Sequence, residues 1–487
     1  MAMADWHPSL PGTSRLARAA RAVSARLPLV ERREDDTARV RTFKRVAGRL
    51  DALPRPARGG KPRVLLLQGP VGPFFDHLSD AFVDRGYAVD RVRFNGADHV
   101  MARAPREGRL LSYAKGETSV GAWFRATLTC SRYDLVVLFG CQRPAHVAAA
   151  EVARECGVPV VSLEEGYIRT GLVTVELDAN NAGSPIAGDL PDHAGYAYAD
   201  PPTVRPNKAW MSLHGGLYFT LRNLLTFGKG RELFHKRRPL ISEGWSWLRS
   251  GLRWSVATLH DAFGESVVHY VQRHHRNNYD VVILQVCDDA QMTVAARGWT
   301  NERLIHASIE SFARFAPRDR CLVFKVHPNE RGHTSDHRLI EMLAERWGVA
   351  DRVRWIYTGP LSTLAAGARG MIVINSTSGI SAIDKGCPLL VLGEAIYANP
   401  ELVRIGDHER AIDAFWTDDH VASPELRRAY RGWLTERTMV EGDYYARAFL
   451  PLTASNVAER AIALAKSRSA AVGTGRSAEV VRLPRAA

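Results

Sequence analysis

Short apolar runs recur along this chain, each stopped by a Gly/Pro turn or a polar cluster and most followed by a stretch of helical periodicity. RVLLLQ, from Arg63, predicts a buried strand, and GPVGP the turn after it. PFFDHLSDAFVDRG then predicts an amphipathic helix with Phe74, Phe75, Leu78 and Phe82 on one face, closed by Gly86. YAVDRVRF is the next strand, with Asn95-Gly96 as a turn; YDLVVLFG and VPVVSLEEG repeat the pattern around the helix HVAAAEVAREC. A second series opens with DVVILQV near residue 280. It continues through helix NERLIHASIESFARFA, strand CLVFKVHP, helix SDHRLIEMLAERWG, strand RVRWIY, helix LSTLAAGA, strand GMIVIN, helix SGISAIDKG and strand PLLVLG. Strands alternating with helices of this size predict an α/β protein with parallel sheets.

At 487 residues the chain is too long for one hydrophobic core and suits two α/β domains with additions. The pattern divides it into a basic N-terminal arm and Pro/Gly-rich linker over 1–60, a first Rossmann-like domain over 61–204, and an aromatic, basic and helical insert over 205–275. A second Rossmann-like domain over 276–465 and a small-residue-rich tail over 466–487, expected to be disordered, complete it. The insert interleaves Trp210, Tyr218, Phe219, Phe227, Phe234, Trp245, Trp247 and Trp254 with Lys229, Arg231, Lys236, Arg237, Arg238, Arg249 and Arg253. Such a mixture suits an anionic membrane surface, or a packing helix with a solvated basic face.

The formal net charge of +13 is consistent with an anionic partner, but no nucleic-acid motif accompanies it, so no nucleic-acid partner is expected. No window approaches the roughly 18–20 apolar residues of a membrane span, and the N-terminus lacks the apolar core and cleavage site of a secretory signal. A cytoplasmic protein is the expectation. Cys130, Cys141, Cys156, Cys287, Cys321 and Cys387 form no C-x-x-C pair or zinc-like spacing, which predicts reduced structural thiols.

The polar clusters at strand ends carry the candidate chemistry, because ligands of open α/β sheets bind outside the carboxyl ends of the strands. Asn375-Ser376-Thr377-Ser378-Gly379 lies between a strand and a helix start. Its hydroxyls and free N–H groups form a cradle for phosphate or carboxylate, or simply an N-cap. His327-Pro328 ends another strand, with Lys325 two residues earlier on the same face; the histidine can donate to a phosphate, or be part of an ordinary turn. Glu164-Glu165-Gly166, followed by Tyr167 and Arg169, sets two carboxylates at the lip of the first sheet, where mutual repulsion can raise one pKa for acid–base work. Asp289, in Gln285-Val286-Cys287-Asp288-Asp289-Ala290-Gln291, is either a reactive carboxylate or a helix-capping aspartate. Gln68, Gly69 and Gly72 form a turn that is neither a dinucleotide fingerprint nor a P-loop; its amides can meet a ligand, although a tight turn alone explains the glycines.

The segments RVLLLQGPVGPFFDHLSDAFVDRGYAVDRVRFNGAD, SLEEGYIR, LQVCDDAQ, KVHPNERG and VINSTSGISAIDKGCPLLVLGEAIY together resemble the capsule polysaccharide biosynthesis/export family, and within it the KpsS/LipB-type β-Kdo transferases. The resemblance implies a GT-B-like fold, with two Rossmann-like domains facing a central cleft. It implies a retaining glycosyltransferase that moves Kdo from CMP-β-Kdo to a (lyso)phosphatidylglycerol-type acceptor, peripherally at the inner membrane and beside the capsule synthesis and export machinery. By position, Lys325, His327, Asn375, Ser376, Thr377, Ser378 and Gly379 would hold the nucleotide sugar. Asp289 would be the nucleophile, with His327 assisting the leaving phosphate. Glu165, or failing that Glu164, would serve the acceptor hydroxyl, with Gln68, Gly69, Gly72, Tyr167 and Arg169 on the acceptor side. Retention by double displacement needs a nucleophilic carboxylate and a separate acid/base. This layout requires no cofactor or metal. Transfer of another CMP-linked nonulosonic acid, or a non-catalytic export subunit, are the alternative readings.

Overall fold

A computed structural model of the protein describes residues 60–113, 119–168, 170–196, 204, 208–225, 262–287, 289–330 and 334–474. Outside them fall the arm before Gly60, Arg169, the segment from 475 onward, and the insert's Phe227, Phe234, Trp245, Trp247, Trp254 and all its basic positions named above.

The first sheet is built from β1 (Arg63–Leu66), β2 (Ala88–Arg93), β3 (Gly108–Ser112), β4 (Leu135–Phe139), β5 (Val160–Glu165) and β6 (Leu172–Leu177). The second contains β7 (Tyr279–Ile283), β8 (Cys321–Lys325), β9 (Val353–Ile356), β10 (Gly370–Val373), β11 (Leu389–Val391) and β12 (Arg404–Ile405). The strand orders are β6-β5-β4-β1-β2-β3 and β12-β11-β10-β7-β8-β9. Both sheets therefore start with a central strand, step outward twice, return to its other side and step outward again. The point of reversal lies between β1 and β4 in one sheet and between β7 and β10 in the other. All pairings in the second sheet are parallel.

The first sheet departs from the predicted all-parallel layout at β6, which runs antiparallel to β5. Only Gly166–Gly171 joins the two strands, too little chain for a crossover helix, so a reversal is the only solution. A Cβ on Gly166 would overlap the Leu172 carbonyl, so this turn needs a glycine. β3 escapes prediction because it is a largely exposed edge strand with no continuous apolar run.

Helices cover both faces of each sheet. Against the first lie α1 (Phe74–Asp84), the short α2 (Gly96–Met101), α3 (Val120–Ser131), α4 (Pro144–Glu155) and α5 (Lys208–Leu225). Residues 262–274 are also helical. Against the second lie α6 (Ala290–Val294), α7 (Asn301–Phe315), α8 (Asp336–Arg346), α9 (Leu361–Gly367), α10 (Ser378–Lys385), α11 (Arg410–Phe415) and α12 (Pro424–Thr438). One face of the second sheet packs Val282 and Phe324 on Ile305 and Leu343. Its other face packs Val281 and Val323 on Leu364, Ile383 and Leu434, and the same core takes in Tyr167, Leu172, Ile186 and Tyr196 from the first half. The two halves thus share apolar surface, and Asn399 Nδ2 donates to the Gly188 carbonyl at 2.8 Å to peg them together.

The chain end corrects the predicted domain boundary. After α12 the chain crosses back: β13 (Met439–Glu441) pairs antiparallel with β6, Met439 opposite Thr174. The following helix, α13 (Leu450–Thr474), lies across α1. Leu450, Val457, Ala458 and Ala461 bury themselves with Val64, Leu66, Phe75 and Phe82, so residues 439–474 belong to the first half, and helix continues past 466 where a disordered tail was expected. The sequence is silent on this because a small-residue stripe of Ala and Val does not say which sheet it faces. Leu450→Ala, at a fully buried position on α13, is expected to destabilise the protein by about 2–5 kcal/mol, whereas Leu452→Ala on its exposed face should stay within about 0.5 kcal/mol. Equal losses for both variants in urea unfolding would remove α13 from the core.

Candidate functional site

The first point of reversal is bolted together by Gln68, the second residue past β1. Its backbone N–H donates to His146 Nε2 at 3.2 Å, and His146 Nδ1 lies 2.9 Å from the Gly140 carbonyl. A backbone N–H can only donate, so Nε2 accepts, Nδ1 carries the proton, and this buried imidazole ties the end of β1 to the end of β4. The Gln68 side chain accepts from Arg143 Nη1 at 2.8 Å and donates to Tyr218 Oη at 2.7 Å. Tyr218 in turn donates to Asp98 Oδ1 and accepts from Asn95 Nδ2, both at 2.9 Å. Burial pushes the Asp98 carboxyl above its ordinary range, while the Phe94 backbone N–H, Tyr218 and Gln68 pull it back. Tyr218, grouped in the sequence with the insert's membrane-facing aromatics, is thereby reassigned: α5 brings its hydroxyl down onto α2 and the site.

Glu164 and Glu165 close β5. Burial, reinforced by the neighbouring charge of Glu165, pushes the Glu164 carboxyl up to about 7; the Glu165 backbone N–H and Arg143 act in the opposite sense, and Asp289 adds a further upward push. That last influence places Asp289, in the loop after β7, within electrostatic reach of Glu164 at the end of β5. Glu165 instead accepts a hydrogen bond from Tyr445 Oη at 3.1 Å. Of the pair, Glu164, the second choice read from the sequence, is the one whose carboxyl burial raises towards neutrality. Tyr167 does not face the acceptor side. It is buried in the shared core and donates to Glu176 Oε2 at 2.6 Å. Burial also lifts Glu176 to about 7, opposed by hydrogen bonds from Ser184, Tyr167 and Asn180.

In the second half the same device recurs. Gln285, two residues past β7, donates to Asn375 Oδ1 at 2.8 Å and accepts from the Asn375 backbone N–H at 3.0 Å. Asn375 also donates to the Gln291 carbonyl at 3.1 Å, so its side chain is committed to joining the ends of β7 and β10. Asp289 caps α6, Oδ1 accepting from Gln291 N at 3.0 Å. The loop carrying it is held from below by Glu330, which accepts from Cys287 N at 3.3 Å; this buried glutamate, in the turn after His327, was not singled out from the sequence, although Pro328-Asn329-Glu330 sits inside the KVHPNERG segment.

β10, β7 and β8 are neighbours, with Val373 opposite Ile283 and Ile283 opposite Lys325. Ser376, Asp289 and His327 therefore leave one sheet edge from three adjacent strands, whose spacing is about 4.8 Å. Lys325 and His327 are half-buried there, as are Ser376, Thr377 and Ser378. Ser376 Oγ accepts from Ser378 N at 3.2 Å, while Thr377, at the N-cap position of α10, makes no side-chain capping bond. Two of the glycines also have steric duties. A Cβ on Gly69 would fall 2.7 Å from the Phe75 ring, and one on Gly379 would overlap the Tyr397 ring, whose hydroxyl bonds the Ser376 carbonyl. Gly72 takes φ +123°, with Trp210 of α5 beside it. Among the described residues no cluster of His, Cys, Asp and Glu is arranged to hold a metal ion, and no helix is long and apolar enough to cross a membrane.

The chain is 29% identical over 388 residues to the capsule polysaccharide export protein KpsS of Escherichia coli, covering 79% of this chain and 97% of that one. It is 28% identical over 400 residues to the capsule polysaccharide modification protein LipB of Neisseria meningitidis serogroup A, covering 80% and 93%. Among solved structures, the KpsC β-Kdo 2,7 transferase of Thermosulfurimonas dismutans aligns with a TM-score of 0.35 and 13% identity, over 76% of this chain and 89% of that one. The family described as capsule polysaccharide biosynthesis protein matches residues 134–211 and 248–445. That span includes Glu164, Asp289, His327 and Ser376 and more than half of the chain, which belongs to the capsule polysaccharide biosynthesis family.

Proposed function

We propose that the protein is a retaining β-Kdo glycosyltransferase, transferring Kdo from CMP-β-Kdo to a (lyso)phosphatidylglycerol-type lipid at the cytoplasmic face of the inner membrane. The observation that carries this reading is the approach of two carboxylates from opposite halves, Glu164 held near neutrality and Asp289 anchored by its cap. In the first step Asp289 attacks the anomeric carbon and CMP leaves with the bonding electron pair. The α10 N-terminus, the Ser376–Ser378 hydroxyls and His327 stabilise the departing phosphate. In the second step the acceptor hydroxyl displaces Asp289 while Glu164, as carboxylate, takes its proton. Two inversions give net retention. Asp289 suits the first role because the cap occupies only Oδ1 and fixes the carboxylate's direction. Glu164 suits the second because a carboxyl titrating near 7 is divided between acid and base at neutral pH.

Purified protein with CMP-Kdo and lysophosphatidylglycerol is expected to give a β-linked Kdo lipid, read by mass and anomeric configuration. Asp289→Asn should lower kcat by at least about 10³-fold with folding intact. Wild-type turnover in that variant would exclude Asp289 as nucleophile; exclusive use of another CMP-nonulosonic acid would replace the donor, and no cytidine nucleotide binding at all would favour an export subunit.

Glu164 also makes a stability prediction. Its carboxyl moves from an ordinary value of 4.5 to about 7 in the fold, so between these values the native state holds more protons than the unfolded state. Stability from this group is therefore full at pH 4, falls as pH rises towards 7 and is constant above. Glu164→Gln should be more stable than wild type at pH 8, by up to about 3 kcal/mol, and no more stable at pH 4. It should also abolish the acid limb of the kcat/KM profile. A pH-independent difference in denaturation midpoint would contradict the buried-acid assignment.

A further inference from the structure

The chemistry above leaves Arg143 without a task. It stands immediately before α4, at the mouth of the first point of reversal. Its Nη1 donates to Gln68 Oε1 at 2.8 Å and to the Gly69 carbonyl at 3.2 Å, and its guanidinium carbon lies 5.5 Å from the Phe139 ring centroid. Among the described residues no Asp or Glu forms an ion pair with it, and Nε and Nη2 have no hydrogen-bond acceptor. Burial works against its charge, with Tyr218, Glu164, Tyr445 and Asp98 near enough to act in the opposite sense. An arginine cannot shed its proton in a protein, and this half-buried guanidinium keeps the three N–H donors of Nε and Nη2 clear of any protein acceptor.

Gly140 marks the space beside one of the unused donors, Nε. It ends β4 in the left-handed region at φ +76°, and a Cβ built on it would lie 3.3 Å from Arg143 Nε and 4.0 Å from Glu164 Oε2. The absent side chain leaves open a gap bounded by a guanidinium on one side and the Glu164 carboxyl on the other. A ligand that fits such a gap carries an oxyanion close to a hydroxyl, the oxyanion taking the planar donor fork and the hydroxyl meeting the carboxyl. On the transferase reading the nucleotide phosphate is served by the other half, at the β7–β10 reversal, whereas this gap adjoins the Glu164 carboxyl that receives the acceptor hydroxyl, which favours an oxyanion of the acceptor here over the donor's sugar carboxylate.

We propose that Arg143 binds an oxyanion of the acceptor, a phosphate ester beside the reacting hydroxyl, and so presents that hydroxyl to Glu164. The proposal rests on the transferase reading and specifies its acceptor class: a polar group with a bare hydroxyl and no neighbouring anion is a poor substrate. Gln68 is the positioning residue, since it holds Nη1 and thereby turns the remaining donors into the gap.

The test separates binding from turnover. Full-length wild type, Arg143→Lys and Arg143→Met are titrated calorimetrically with sn-glycerol 3-phosphate, inorganic phosphate, free Kdo and glycerol. Wild type is expected to bind glycerol 3-phosphate and not glycerol, with affinity at least tenfold weaker in Arg143→Met and intermediate in Arg143→Lys. In transfer assays with lysophosphatidylglycerol, Arg143→Met should raise the acceptor KM at least tenfold and leave the CMP-Kdo KM unchanged. If Arg143→Met does not fold, Arg143→Lys carries the comparison, because it keeps the charge and loses the planar fork. Equal binding of glycerol 3-phosphate by wild type and either folded variant overturns the proposal, as does wild type that binds no phosphate ester. Arg143-dependent binding of inorganic phosphate equal to that of glycerol 3-phosphate would reduce the site to a free-phosphate site and overturn the acceptor role. Arg143-dependent binding of free Kdo in preference to phosphate esters likewise overturns the phosphate assignment in favour of a sugar carboxylate. Arg143-dependent binding of glycerol 3-phosphate without Kdo transfer to any acceptor retains the oxyanion site and removes the transferase reading instead.

Discussion

When the chain leaves two neighbouring parallel strands in opposite directions, the connecting segments part and leave a gap that nothing in the sheet can fill. This protein has two such gaps, at β1/β4 and at β7/β10, and the candidate chemistry stands around them. Each gap must be kept from collapsing or fraying. In both halves a glutamine two residues past the central strand does this, Gln68 reaching Arg143 and Tyr218, Gln285 reaching Asn375. A neutral amide that both donates and accepts can hold two strand ends without adding charge to the gap.

The distance across the cleft is a packing result. Tyr167, Leu172, Ile186 and Tyr196 of the first half sit in the core beneath the second sheet, and β13 returns the chain to β6 after α12 has packed on the second. Apolar surface removed from water contributes about 25 cal/mol per Å², so a core common to both halves opposes their separation in proportion to its area. Inside it lies a polar knot in which Glu176 accepts from Tyr167, Ser184 and Asn180, an arrangement that satisfies the carboxyl's lone pairs where water cannot. Glu164 and Asp289 sense each other only because this frame holds β5 and the β7 loop to one another.

Burial then sets the chemistry. Burial raises Glu164 and Asp98 and works against the charge of Arg143, which lies within electrostatic reach of both carboxyls. A low local dielectric strengthens every interaction among them and with a ligand, so the proton affinity of the two carboxyls depends on what occupies the space beside the fixed charge of Arg143. Gly140 belongs to this logic, because it adopts the left-handed backbone at φ +76° and leaves room between Arg143 and Glu164.

The alternation of apolar runs and helical periods was sufficient by itself for the two α/β halves, for nearly all their strands, and for the polar tips at strand ends. Those features are local: a buried strand must be apolar and must end where polar residues begin. The exposed β3, the antiparallel β6 and the return of β13 and α13 to the first half were not legible, because each depends on partners distant in the chain. Nor did periodicity show the partners that the fold gives each member of a motif. Asn375 bonds Gln285, and a Cβ on Gly379 would meet the Tyr397 ring. Tyr218, one of an aromatic set that suited either a membrane surface or a packing helix, is brought by α5 onto Gln68, and Tyr445 bonds Glu165 while burial raises Glu164. Residue type and position along a strand are written in the sequence; burial, and with it proton affinity and the choice of partner, is a property of what the folded chain brings alongside.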